Sequence, residues 1–442
     1  MSPRRPYDVA AIRALFPALA RTLPDGRPLA FLDGPAGTQV PGAVIDAYRA
    51  FFVEANANSG GDFPTSRAQA RVEDAAHRAA EDLLNAPKES VKFGANMTTL
   101  NFQLSRSLAR DMKPGDEIVV TLLDHDANYN PWRLLAEDHG FVLREARVRP
   151  DDGTIDMDHL RSLLGPRTKI VATGMSSNAI GTINPSAEIV AAAHEVGALS
   201  VLDAVCSAPH YPIDVQALDA DFLLCSPYKF YGPHAGLLYG RPQLLERYGR
   251  YKVRPAHDQW ETGTASYESQ AATTAAIDYL AWVGREFGDP ADAAPLSGRR
   301  GEIRSGLKAI TAHERGLARR LIDGLQAIPG VKVWGITAPE PGRSDVPYWV
   351  TTDAEARKAV QELAARKVDF VKIWVDDRNG QYKKLSPELY RSVIDEAHKN
   401  NLRVTAHIVY LDDAKDLLKA GIDGFAHTVR DKDIDDEYIA LV

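Results

Sequence analysis

The sequence predicts an α/β protein with a mainly parallel sheet that is flanked by helices on both faces. Over the first half of the chain, short apolar runs alternate with amphipathic stretches, and this alternation is typical of β/α units. Strands that are separated by helices pair in parallel because their connections cross over the sheet. The predicted strands are 118–123, 141–148, 169–175, 198–204, 221–226 and 236–240, and the predicted helices are 66–85, 98–111, 130–139, 158–164 and 187–197.

The remainder of the chain predicts a helical region and then a second domain. Residues 269–329 are helical in pattern, with a loop at 288–301. The stretch APEPGRSDVP at 338–347 is rich in proline and predicts a boundary between domains at 1–340 and 346–442. Beyond it, the pattern indicates a partial, barrel-like run of β/α units. Its predicted strands are 368–375, 402–409 and 422–429, and its predicted helices are 353–367, 386–400, 412–420 and 431–439.

Composition excludes several classes of protein. The 442 residues carry a formal charge of -8, which disfavours a nucleic-acid surface because phosphate binding needs clustered Lys and Arg. No run of about 18 apolar residues occurs, so no membrane span is predicted. Two cysteines cannot form a disulfide framework and favour a reducing compartment, so we expect a cytoplasmic protein.

Two residues at neighbouring strand ends point to chemistry when they are taken together. Asp203 ends the strand 198–204, and Lys229 follows the strand 221–226. Alone, the aspartate would be an ordinary turn cap and the lysine a solvated side chain. Together they meet the needs of pyridoxal 5'-phosphate (PLP), which uses a lysine amine to hold its aldehyde as a Schiff base and a carboxylate to keep its ring nitrogen protonated.

Other strand ends supply further groups for such a cofactor. Gly94 predicts a tight turn before a helix whose first residues include Thr98 and Thr99, where amides, hydroxyls and the helix dipole favour a phosphate, although a plain capping box explains the same run. His125 and Asn178 each end a further strand. Five polar groups at five strand ends are stronger evidence for a cofactor site than any one of them alone.

These motifs as a set resemble the class V aminotransferase superfamily of fold type I PLP enzymes, and within it the cysteine desulfurase-like proteins. The resemblance covers residues 10–340. It is carried by FLDGPAGTQVP at 31–41, NSGGDFPTSR at 58–67, FGANMTTLNF at 93–102, DHDANYNPW at 124–132, SSNAIGTINP at 176–185, LDAVCSAPH at 202–210, SPYKFYGPHAG at 226–236 and WETGT at 260–264.

The resemblance implies a role for each matched residue. Lys229 is similar to the Schiff-base lysine, Asp203 to the partner of the pyridine nitrogen and His125 to the residue that stacks on the ring. Thr264 resembles a residue that is donated to the phosphate of the neighbouring subunit, which implies a homodimer acting on an amino acid. The other implied cofactor-binding residues are Met97, Thr98, Thr99, Asn178, Cys206 and Ser226, of which Asn178 is expected near the phenolic oxygen and Thr98, Thr99 and Ser226 near the phosphate.

The chain departs from its relatives at three places. Cys206 stands where relatives have Gln or His, and Tyr228 stands where desulfurases often have His. In the relatives, a small C-terminal domain carries the arginine for the substrate carboxylate. The sequence after about residue 345 does not resemble that domain. The candidate substitutes for this arginine are Arg343, Arg357 and Arg378.

The C-terminal segment resembles another family. Residues 371–427 are similar to imidazolonepropionase-like metal-dependent amidohydrolases, whose metal-binding lysine and histidines match Lys372, His407 and His427. The His-x-His and the last aspartate of that family have no counterpart, so no metal site is predicted and the three residues are interpreted as remnants.

Three functional hypotheses follow. The first is a PLP-dependent lyase or aminotransferase; desulfurase activity proper is disfavoured because Cys206 and Cys225 lie in or beside core strands, away from any mobile loop. The second is a metal-dependent hydrolase in the C-terminal segment. The third is a catalytically inactive chimera that binds PLP without turnover.

Overall fold

The structure is a computed structural model that describes residues 5–253, 258–337, 350–365, 368, 370–377 and 384–442. The chain divides into two compact units, Met1–Pro339 and Glu340–Val442. The boundary predicted at 338–347 lies outside the described residues.

A seven-stranded sheet forms the centre of the first unit. Its strands are β1 (Val91–Gly94), β2 (Glu117–Thr121), β3 (Val142–Ala146), β4 (Thr168–Gly174), β5 (Leu199–Asp203), β6 (Phe222–Cys225) and β7 (Gly236–Gly240). They lie in the order β1-β7-β6-β5-β4-β2-β3, and β7 is antiparallel to both of its neighbours while the other pairs are parallel. The predicted parallel sheet is thereby confirmed.

Helices cover both faces of this sheet. They are α1 (Val9–Ala14), α2 (Gly42–Glu54), α3 (Pro64–Leu83), α4 (Met97–Ala109), α5 (Asp126–His139), α6 (Met157–Leu163), α7 (Ser186–Glu195), α8 (Pro242–Tyr248), α9 (Tyr267–Phe287), α10 (Pro290–Ala293) and α11 (Gly298–Gln326). Adjacent strand residues point to opposite faces: Leu223 packs into the core with α9, whereas Leu224 packs into the core with α4. Burial on both faces explains why the central strands are continuous apolar runs.

The sequence prediction missed some elements of the first unit. β1 was not predicted as a strand, because it is short and contains Lys92. α2 was also missed, and its apolar residues lie on several sides of the helix, so that Phe51 is buried while Phe52 is half exposed. Within the loop predicted at 288–301, the structure places α10 and the first residues of α11.

The second unit has a three-stranded parallel sheet in the order β10-β9-β8. Its elements are α12 (Asp353–Ala365), β8 (Phe370–Val375), α13 (Pro387–Lys399), β9 (Arg403–Ile408), α14 (Leu411–Lys419), β10 (Gly424–Phe425) and α15 (Asp436–Leu441). The strand predicted at 422–429 is wrong in extent, because pairing with β9 as a strand covers only Gly424 and Phe425. The helix predicted at 431–439 starts late, because Asp435 caps it by accepting a hydrogen bond from the amide of Tyr438.

Candidate active site

Asp203 and Lys229 lie at the same edge of the sheet. Asp203 is the last residue of β5, and Lys229 ends the 3-10 turn Pro227–Lys229 that follows β6, the neighbour of β5. The carboxyl ends of parallel strands are where ligands of such sheets collect. The Asp203 carboxylate is buried and accepts a hydrogen bond from the amide of Val205 at 2.8 Å.

Two other predicted residues, His125 and Lys229, act on this carboxylate. Burial raises the pKa of Asp203 to about 6, while the hydrogen bond from the amide of Val205 and the nearby side chains of His125 and Lys229 act in the opposite direction. The structure therefore places His125 and Lys229 within electrostatic range of the Asp203 carboxylate.

Lys229 also contacts the segment before α2. Its amine donates a hydrogen bond to the carbonyl oxygen of Pro35 and lies 5.0 Å from the ring centre of Tyr228. The hydroxyl of Thr38 donates to the Tyr228 carbonyl at 3.1 Å and accepts from the amide of Tyr231 at 2.8 Å. Pro35 and Thr38 thus fix the turn that carries the lysine, a role that the sequence signalled only through the motif at 31–41.

His125 is placed by the start of α5. Its Nδ1 accepts a hydrogen bond from the amide of Ala127 at 3.0 Å, so the imidazole caps the helix. The preceding residue, Asp124, accepts hydrogen bonds from the amides of Thr121 and Gly174 and so ties the end of β2 to the end of β4. Burial raises the pKa of Asp124 to about 7, with a further contribution from the negative charge of Asp203. Sequence reasoning missed Asp124, although it adjoins His125 in the DHD motif.

The start of α4 forms a cradle lined by hydroxyl groups. Asn96 caps the helix by accepting a hydrogen bond from the amide of Thr99 at 2.8 Å, and the side chains of Thr98 and Thr99 are exposed while Met97 is buried. A Cβ atom at Gly236 would lie 2.6 Å from the carbonyl oxygen of Asn96. Only glycine lets β7 approach this turn so closely.

Three other predicted residues have weaker links to this site. Ser226 is buried, and its carbonyl accepts from the amide of Lys229 at 3.1 Å. Asn178 is exposed in a turn closed by the hydrogen bond from the Ser177 amide to the Thr182 carbonyl, and Thr264 is exposed in the loop before α9. Among the residues that the structure describes, no hydrogen bond joins Asn178 or Thr264 to Lys229, Asp203 or His125.

Neither cysteine has the features of a reactive thiolate. Burial raises the pKa of the half-buried Cys206, and the charge of Asp203 adds to this shift while Lys229 opposes it. Cys225 is fully buried in β6, and its pKa is also raised. A nucleophilic cysteine needs a lowered pKa and an accessible position.

The three metal candidates of the second unit lie near one another. His407 stacks on Trp374 with ring centres 3.7 Å apart, and the ring of His427 lies 4.5 Å from that of His407. Burial lowers the pKa of His407, the contact of its Nε2 with Asp376 at 3.3 Å opposes this shift, and the nearby His427 and Lys372 add to it. Within the described ranges, no group of three or more His, Cys, Asp or Glu residues could hold a metal ion.

Of the three candidate arginines for a substrate carboxylate, the structure describes Arg357. Arg357 forms ion pairs with Asp353, Asp395 and Glu396 within its own unit. Arg343 and Arg378 lie outside the described residues.

None of the helices in the described part of the chain combines the length and the apolar character that a membrane crossing requires.

Comparisons with known proteins agree with this geometry. The chain is 35% identical over 341 residues to a cysteine desulfurase of Dickeya dadantii, covering 75% of this chain and 80% of that protein. A probable cysteine desulfurase of Mycobacterium leprae is 35% identical over 372 residues, covering 78% and 82%. The crystal structure of a cysteine desulfurase from Escherichia coli is similar with a TM-score of 0.59 at 28% identity, covering 73% of this chain and 78% of that one.

These relatives share a cofactor. Cysteine desulfurases and class V aminotransferases use PLP, and their large domains have fold type I, the α/β architecture of the first unit. Residues 30–287 match the family described as aminotransferase class-V. The match spans the cradle, His125, Asp203 and Lys229, and the chain therefore belongs to the class V aminotransferase family.

Proposed function

We propose that the first unit, residues 1–340, is the catalytic domain of a PLP-dependent enzyme that acts on a small amino acid such as L-cysteine. The observation that carries this proposal is that the buried Asp203 ends β5 and Lys229 follows the neighbouring strand β6 at one edge of the sheet, with His125 within electrostatic range of the carboxylate. A PLP site needs an amine, an imidazole and a carboxylate together, and the local contacts that each of the three makes do not account for their placement at one edge of the sheet.

The residues of the site fit this cofactor. PLP, when bound, supplies an electron sink for bond cleavage next to the substrate amine. Asp203 would hold the pyridine nitrogen, and because the pKa of its carboxyl is about 6, it is mostly ionised at neutral pH. His125 would cover one face of the ring, and Asn178 and Cys206 would lie towards its phenolic oxygen.

The cradle and the lysine complete the assignment. Met97, Thr98, Thr99 and Ser226 would bind the phosphate through amides and hydroxyls at the start of α4 and in the turn after β6. Lys229 would take the proton from the substrate α-carbon and return it, as a general base and then a general acid.

We further propose a homodimer, in which Thr264 of one subunit reaches the phosphate of the other. The exposed position of Thr264 supports this assignment. Two free cysteines are compatible with a reducing compartment such as the cytoplasm.

The reaction subtype is elimination or transamination. A desulfurase transfers sulfur to a cysteine thiolate on the enzyme, but both cysteines of this chain have raised pKa values. Elimination releases the side chain directly into solution and needs no such thiol.

The test is an assay of the purified full chain with PLP and L-cysteine, in which sulfide, pyruvate and alanine are measured. We expect sulfide and pyruvate, unchanged by Cys206→Ala. Lys229→Ala should lower the rate by ~10²–10⁴, while the exposed Lys88→Ala serves as the control. Alanine formation that depends on Cys206 would indicate a desulfurase, and full activity of Lys229→Ala would refute the proposal.

For residues 346–442 we propose a fragment related to the amidohydrolase-like barrels, without metal chemistry. The parallel order of β8, β9 and β10 and the proximity of Lys372, His407 and His427 support the relationship. The fragment would stand in place of the small domain of the PLP enzymes. Metal analysis of the purified chain should find less than stoichiometric zinc, nickel or manganese, and prompt proteolytic release of the fragment from an unaltered first unit would contradict the replacement.

A further inference from the structure

A buried ion pair joins α3 to the loop that carries Thr264. Nε2 of His77 lies 2.7 Å from Oε1 of Glu261, and Glu261 is only 9% exposed. Nδ1 of the same imidazole lies 2.8 Å from the carbonyl oxygen of Glu73. His77 and Glu261 are 184 residues apart in the sequence, and the pair fixes the position of the loop relative to α3.

The contacts define the protonation of the pair. A carbonyl oxygen can only accept a hydrogen bond, so Nδ1 of His77 must carry a hydrogen. Because the pKa of His77 is raised above neutral pH, Nε2 also carries a hydrogen there, and the imidazolium donates it to the carboxylate of Glu261. Burial alone would lower the pKa of His77, but the hydrogen bond and charge of Glu261, together with the Glu73 carbonyl, raise it to about 9. The positive charge of Lys92 acts against the proton.

The same carboxylate reaches the strand that leads to the phosphate cradle. Oε1 of Glu261 also accepts a hydrogen bond from the amide of Phe93 at 2.8 Å, and Phe93 is followed by Gly94 and the cap residue Asn96. The loop therefore cannot shift without pulling on β1.

Two further side chains hold the same loop at Asp258 and Trp260. Lys92 of β1 forms an ion pair with Asp258 at 2.5 Å, and Gln103 of α4 donates to the carbonyl of Trp260 at 2.8 Å. The Trp260 ring is buried and donates its Nε1 hydrogen to the Leu245 carbonyl. The segment just before Thr264 is thus fixed to α3, β1 and α4 together.

We propose that His77 and Glu261 are positioning residues for phosphate recognition, which hold the cradle and the Thr264 loop in the geometry that binds the phosphate of the cofactor. This inference rests on the proposed function, since it assumes that the cradle and Thr264 bind that phosphate.

The test compares PLP with pyridoxal, which lacks the phosphate, on the full chain freed of cofactor. His77→Phe should weaken PLP binding by roughly tenfold, the loss expected for about one charge-assisted hydrogen bond. Binding of pyridoxal should change by less than about twofold. The neighbouring exposed Arg78→Gln is the control and should change neither affinity.

A double-mutant cycle shows whether the pair acts through the loop. Thr264→Ala should produce the same selective loss, and adding His77→Phe to it should cause little further loss, because both changes disable one element. If His77→Phe does not fold, Glu261→Gln is used instead, since the amide oxygen can still accept from the amide of Phe93.

Several results would overturn the inference. Equal loss of PLP and pyridoxal affinity would show a merely structural role, and additive losses or an unchanged affinity in His77→Phe would show that the pair does not act on the phosphate. If the wild type bound PLP no better than pyridoxal, or left Lys229 unmodified, the proposed function would fail and the inference with it. Selective loss in Thr264→Ala without loss in His77→Phe would leave the proposed function intact and refute the inference alone.

Discussion

Replacing Gly236, at the start of β7, by alanine should disturb the cradle at the start of α4. The added Cβ would lie 2.6 Å from the carbonyl oxygen of Asn96, about 0.8 Å short of an ordinary contact at 3.4 Å. It would also lie 2.8 Å from a methyl group of Leu100. Because the nearest atoms belong to backbone, either β7 or the turn at Asn96 must move. Overpacking of this kind costs about 1–3 kcal/mol of folding free energy.

The displacement should weaken cofactor binding as well as stability. Asn96 caps α4 through the amide of Thr99, so moving its backbone moves the hydroxyls that are proposed to bind phosphate. We expect PLP affinity to fall roughly tenfold, since sub-ångström misplacement of positioning groups is costly.

Urea unfolding and equilibrium binding of PLP measure the two effects on the same protein. Gly165→Ala is the matched control, because no heavy atom lies within 4 Å of the Cβ it would add. The control should stay within about 0.5 kcal/mol of the wild type. If Gly236→Ala matched the wild type in both stability and PLP affinity, the close approach of β7 to the cradle would be disproved.

Three further predictions concern charge and helix stability. The pKa of His77 is raised from 6.5 to about 9, so its ion pair with Glu261 stabilises the fold fully below pH 6.5 and loses this contribution as pH rises through about 9. The free energy of unfolding lost over this range is on the order of 3 kcal/mol. Urea midpoints measured below pH 6.5 and above pH 9 should show the loss, and His77→Gln should abolish this pH dependence of stability. The pKa of Asp203 is about 6 in the cofactor-free protein, so PLP binding should weaken as pH drops through this value, and Asp203→Asn should remove most activity at every pH while leaving the urea midpoint near that of the wild type. Gly316→Ala, in α11 with open space around its Cβ, should raise stability by about 0.5–1 kcal/mol in the same unfolding assay, and a lower stability would contradict the open geometry.

The sheet was predictable because its central strands are buried on both faces. Runs such as FLLC at 222–225 are apolar throughout and bounded by turns, so their pattern follows directly from the fold. β1 was not predictable by the same rule, because Lys92 interrupts its four residues and is buried only through its ion pair with Asp258. A local sequence pattern does not indicate an ion-pair partner that lies 166 residues away in the sequence.

The candidate site was predictable where strand ends carry it. Asp203 and His125 follow apolar runs, and the topology brings such ends to one edge. The supporting groups were missed because they depend on tertiary contacts. Asp124 joins two strand ends through backbone amides. His77 has the pattern of an ordinary residue of α3, and only the folded structure shows its contact with Glu261.

The central claim is that Lys229 is the amine that holds the cofactor. The most direct measurement is borohydride reduction of the PLP-loaded protein, followed by proteolysis and mass spectrometry of the lysine-containing peptides. The account predicts a single pyridoxyl adduct on Lys229 and loss of the visible absorbance on reduction. An adduct on any other lysine, or none after incubation with PLP, would contradict it.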